Sequence, residues 1–171
     1  SATESDKPAM TDRLNKQASE LLELEAIEYA DRTEKYPTDR GLKYQLGDVA
    51  FRRGDLPTAM ECFQKAKDEP KLRVMSGHYL GKCFAQEEWH SEAVAEYKEV
   101  LESIDASNKE QELEIRYDLM ISLIAHARSE RDVQLAKEAL EICSWIARKD
   151  ISYRDIRDRR KEIDQLTREI A

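Results

Sequence analysis

The chain has 171 residues, 37% of them charged, with a formal net charge of −8. A surface of this sign opposes nucleic-acid phosphates and anionic membranes, whose protein ligands work through Lys and Arg. Only 5 Gly, 4 Pro and 7% aromatic residues stand against abundant Ala, Leu, Glu, Lys and Arg, which excludes a strand-rich fold and predicts helices throughout.

In chain order, residues 1–10 open with the small, polar, aperiodic "SATESDKPA", predicted to be a disordered tail or a remnant of cloning. Residues 11–36 carry "LLELEAIEYADRTEKYP", a leading helix or degenerate repeat that ends at Pro37. Docking on the first clean repeat is the expected role of this stretch, which is too short for a coiled coil of several heptads. Residues 37–70 contain "LGDVAFRRGDLPTAMECFQKA", two helices joined by "RGDLP". That turn offers a glycine for left-handed backbone, an aspartate N-cap and a proline in the first helical turn.

Residues 71–104 repeat the skeleton at an offset of 34: Leu46 matches Leu80, Gly47 matches Gly81, Ala59 matches Ala93, Phe63 matches Tyr97 and Ala66 matches Val100. Small residues at Gly47 and Ala59 let two antiparallel helices approach closely, with Phe63 filling the space beside them. The second turn, "EEWHS", lacks the glycine; Trp89 is expected to pack there and to change the turn geometry.

Residues 105–149 form a lengthened third unit. "SNKE" (Ser107 to Glu110) is a capping box, followed by Tyr117, Met120, Leu123 and Ile124 on one helix. Ala136, Ala139, Leu140, Cys143 and Ile146 line the next, with the small crossing position open between Ala136 and Ala139. Residues 150–171 carry Ile156, Ile163, Leu166 and Ile170 on a narrow stripe, suited to a helix that covers the end of a stack.

The period of 34, with leucine and glycine in one helix and alanine, an aromatic and a small residue in the next, resembles the tetratricopeptide repeat (TPR). The resemblance implies an all-α, right-handed solenoid of helical hairpins, a TPR-like superhelix with flanking capping helices. The closing "DISYRDIRDR" is similar to the ends of repeat arrays in bacterial proteins, which implies a bacterial source. In such arrays the first helices line a concave surface. Carried over residue by residue, that groove would present Tyr44, Gln45, Asp48, Phe51 and Arg52 from the first unit, and Met75, His78, Tyr79, Lys82 and Gln86 from the second. The lysine and asparagine clamp with which some TPR proteins hold a chaperone's terminal carboxylate is absent: Tyr44, Asp48 and Tyr79 stand in its positions.

The implied function is a non-catalytic scaffold that binds a protein or peptide in the groove, with no cofactor. The alternative is a structural or regulatory arm of a larger, membrane-anchored or otherwise multidomain protein. His78, His90 and His126 lack the spacing of a helical metal pair, so no metal is expected. Cys62, Cys83 and Cys143, an odd number without CxxC spacing, read as reduced core thiols and favour a cytoplasmic setting. "RDIRDRRK" contains Asp155 and Asp158, and reads as a charged outer face without nucleic-acid contact. No run approaches the roughly 18 apolar residues of a membrane span, so no membrane contact by this segment is expected.

Overall fold

The computed structural model describes residues 7–171, and among the described residues it holds eight α-helices and no strand. The chain divides into two compact units, one ending at Asp68 and one beginning at Glu69. The first contains α1 (Lys7–Lys35), α2 (Arg40–Arg53) and α3 (Leu56–Ala66). The second contains α4 (Arg73–Gln86), α5 (His90–Ser103), α6 (Lys109–Glu130), α7 (Val133–Lys149) and α8 (Ile156–Ile170).

In the first unit α1 packs on α2, and α2 on α3. The helix α1 starts at Lys7, so Pro8, Ala9 and Met10, expected in the tail, are helical; the remainder of that expected tail lies outside the described residues. At 29 residues α1 extends well beyond "LLELEAIEYA" and is long enough for several heptads. Between α2 and α3 the small-residue prediction holds at the level of atoms. A Cβ added at Gly47 would lie 2.9 Å from Phe63 Cε1 and 3.1 Å from Cys62 Cβ, so the ring rests directly on the glycine.

In the second unit each helix packs on the next, and α6 also touches α4 and α8. A Cβ at Gly81 would meet the Tyr97 ring even more closely, at 2.5 Å from Cε1. The turn prediction fails here, for Glu88 reproduces the backbone of Gly54. Gly54 has φ 77° and Glu88 φ 60°, and in both turns the next residue's N–H reaches back five residues, Asp55 to Ala50 at 2.9 Å and Trp89 to Phe84 at 2.8 Å. The third hairpin does the same with Arg131 at φ 54° and Asp132 bonded to Ala127 at 3.1 Å. A left-handed residue with a Cβ costs about 1–2 kcal/mol. Packing of the two helices over Gly81 outweighs that cost, so the helices set the turn. Trp89 does not fill the turn; its ring stacks on Phe84 at 5.9 Å and remains 49% exposed.

The third hairpin settles the register question with two answers. Counted from the left-handed residue, Ala136 holds the place of Ala59, each being five positions on. Counted by burial, α7 is displaced by one helical turn: Ala136, Ala139, Ile142, Cys143 and Ile146 repeat the spacing of Leu56, Ala59, Cys62, Phe63 and Ala66. The longer helix uses both alanines, each fully buried, and Leu140 is only half-buried. The cap of α6 also moves by one residue. Ser107 is drawn to Asp105, donating through its hydroxyl at 2.6 Å, and Asn108 caps the helix by accepting from Gln111 N–H at 3.3 Å while its amide donates back to Gln111 at 2.7 Å. Finally α8 lays Ile156, Ile163 and Leu166 into the core, and the Cys143 thiol donates to the Ile156 carbonyl at 3.7 Å.

Candidate functional site

The residues expected in the groove separate by unit. In the first, Tyr44 is half-buried with its ring 5.8 Å from Phe63, Gln45 is exposed and Phe51 half-buried. Asp48 and Arg52, expected to provide selectivity, are engaged elsewhere: Arg52 donates to Asp48 at 3.0 Å and to Glu25 of α1 at 3.0 Å. Their neighbour Arg53 makes a two-pronged bond to Glu23 at 3.0 and 2.9 Å. These pairs hold α1 against the end of α2.

In the second unit Met75 and Gln86 are exposed, and Tyr79 and Lys82 half-buried. His78 is a correction, being only 5% exposed. It points toward α6 because Asp118 offers it a polar partner there, with Nε2 2.7 Å from the carboxylate, and its ring meets Tyr97 edge-on at 5.9 Å.

Around Asp118 the fold assembles a charge cluster that spacing along the sequence did not reveal. Glu114 and Asp118 lie four residues apart on one face of α6. The Lys82 ammonium approaches Glu114 at 3.1 Å and Asp118 at 3.8 Å, and lies 5.1 Å from the centre of the Tyr79 ring. From the turn before α8, Arg154 reaches the same carboxylates at 4.0 and 3.9 Å, over the rings of Tyr117 at 4.6 Å and Tyr153 at 5.2 Å. Arg154 has φ 45°, a left-handed conformation that disfavours any side chain with a Cβ. Such strain persists where the surroundings over-determine it, and two rings with two carboxylates do so here.

Below Arg154 the Tyr117 hydroxyl donates to Asp155. That bond, with the Arg159 guanidinium, holds the Asp155 carboxyl below the ordinary aspartate range. Beside the cluster, a cleft of about 230 Å³ opens between α4 and α6, lined by Lys82, Ala85, Gln86, Asp118, Ile121 and Ser122 over Tyr97. Its walls combine a cation, a carboxylate, an amide and apolar carbons, so they can hold one side chain of either polarity by its tip.

Metal ligation fits the cluster poorly. Donor atoms of His78, Glu114 and Asp118 do lie within 4.8 Å of one another, which the histidine spacing alone did not foretell. Lys82 and Arg154 already supply two positive charges to those two carboxylates, so an ion would have to displace them. The thiols offer no nucleophile: Cys62, Cys83 and Cys143 are buried, and burial pushes Cys83 up to about 12 and raises the other two. A spacing of four puts Glu114 and Asp118 on one face of α6 but does not show what meets that face, and Arg154 has no sequence signal at all, because only the turn geometry carries it back over α6.

No protein-family model and no curated protein matches the chain. Among solved structures, that of the MamA RS-1 ArsTM double mutant is similar at a TM-score of 0.55 and 14% identity, over 99% of this chain and 98% of that one. With three helical hairpins flanked by α1 and α8 among the described residues, that likeness gives the chain the fold of a TPR-like helical repeat.

Proposed function

We propose that the chain is a non-catalytic scaffold that captures an extended protein segment on the first helices of the second unit's hairpins, with the cleft between α4 and α6 as the centre of recognition. The observation that carries this reading is the cleft itself, with the partly exposed cluster of Lys82, Glu114, Asp118 and Arg154 at its edge. Arg154 holds a guanidinium over two rings at the edge of this surface, a planar cation that a carboxylate or backbone carbonyl of a partner could meet. Tyr79 and Met75 on α4 add a ring and an adaptable thioether, the side chains that such interfaces favour. In the first unit, α2 by itself carries Tyr44, Gln45 and Phe51, and Asp48 and Arg52 tie that helix to α1.

A displayed library of peptides selected on the intact chain tests the reading. Selected peptides should lose about tenfold or more in affinity, about 1.4 kcal/mol, when Lys82 and Gln86 are replaced by alanine, with helical circular dichroism unchanged. Peptides that bind both proteins equally would place recognition elsewhere.

A further inference from the structure

The first helix has two apolar faces, and among the described residues only one of them is covered. Ala26 and Thr33 are buried where α1 packs on α2. On the opposite side Met10, Leu14, Leu21 and Leu24 are 60%, 56%, 58% and 65% exposed. Leu24 is about 200° around the helix from Ala26 at 100° per residue, so α2 cannot reach it. The spacing through Met10, Leu14, Gln17, Leu21 and Leu24 alternates four and three, the seam of a helix that packs on another helix. A lone exposed leucine is unremarkable; four on one seam of a single helix form an uncovered strip.

Charge along the same helix selects the occupant. From Lys7 to Ser19 the cations Lys7, Arg13 and Lys16 face one carboxylate, Asp12; from Glu20 to Asp31 there are five carboxylates and no cation. The strip is nearly symmetric about Gln17, with two apolar residues on each side. We infer that α1 pairs antiparallel with α1 of a second copy of this chain through Met10, Leu14, Leu21 and Leu24. In that orientation the basic half of each helix lies beside the acidic half of the other, and Arg13 falls next to Glu20 twice by symmetry. Parallel pairing would set basic against basic and acidic against acidic. The residues of this strip and those of the cleft between α4 and α6 belong to different helices, so the two are tested by different substitutions.

Sedimentation of the intact chain over a range of concentrations tests the pairing. The expected result is a monomer–dimer equilibrium. It should be abolished by Leu14→Glu with Leu21→Glu and weakened about tenfold by Arg13→Glu alone; Arg13→Glu with Glu20→Arg in one chain should restore it. A chain that is monomeric throughout, a dimer that survives Leu14→Glu with Leu21→Glu, or an Arg13→Glu defect that Glu20→Arg does not repair would each overturn the proposal. The charge variants alter only exposed side chains and so remain informative if the leucine variant unfolds.

Discussion

The hairpin of α2 and α3 and the hairpin of α4 and α5 have the same backbone and reach it by different means. The first has a glycine at the left-handed position and an aspartate cap, Asp55, accepting from Thr58 N–H at 3.3 Å. The second has Glu88 and Trp89 in those places, and Trp89 makes no capping bond. What the second hairpin lacks locally it offsets through packing: Tyr97 is 1% exposed and lies closer to Gly81 than Phe63 does to Gly47. The turn of the first hairpin is written in its own residues, and that of the second follows from the helices on either side.

Six substitutions sharpen or break this comparison. Largest is Tyr97→Ala, expected to destabilise the second unit by about 3–5 kcal/mol in chemical unfolding, since a fully buried ring leaves a cavity. Next is Gly81→Ala. Higher helix propensity would favour alanine by about 1 kcal/mol, but the methyl would overlap Tyr97, a conflict worth about 1–3 kcal/mol. Unfolding midpoints should show a larger loss for Gly81→Ala than for Gly47→Ala, whose nearest contact is 2.9 Å rather than 2.5 Å. Equal losses would refute the difference in packing.

Glu88→Gly should then stabilise the second hairpin by about 1 kcal/mol by relieving the left-handed strain, raising the melting temperature by about 3 °C. Gly54→Ala should do the reverse in the first, although nothing lies within 4 Å of its added Cβ, so backbone conformation alone is being tested. The smallest effect is loss of the cap: Asp55→Ala should cost about 0.5–1 kcal/mol by thermal unfolding. An unchanged melting temperature would mean that α3, like α5, is held by packing without its cap.

Much of the fold was legible along the chain because close helix packing needs small residues at repeating places, and Gly47, Gly81, Ala59 and Ala93 show that need directly. The third hairpin was harder to read since α7 is longer and uses two alanines, so no single residue announces the crossing. Of the proposed site, the repeat suggests Lys82 and Gln86, whereas His78 lies buried against α6, because helical periodicity does not tell which side a polar side chain takes when a half-buried carboxylate, Asp118, stands on the neighbouring helix.

By itself the sequence determined helices, their pairing into hairpins and the residues at which they touch, all matters of local propensity and short-range spacing. Only the tertiary structure decided that Glu88 and Arg131 adopt a glycine's conformation, that Arg154 returns over Tyr117 to meet Asp118, and that among the described residues an apolar strip of α1 stays exposed. Each of these depends on contacts between residues distant in the chain, whose energies exceed the local preferences that the order of residues expresses.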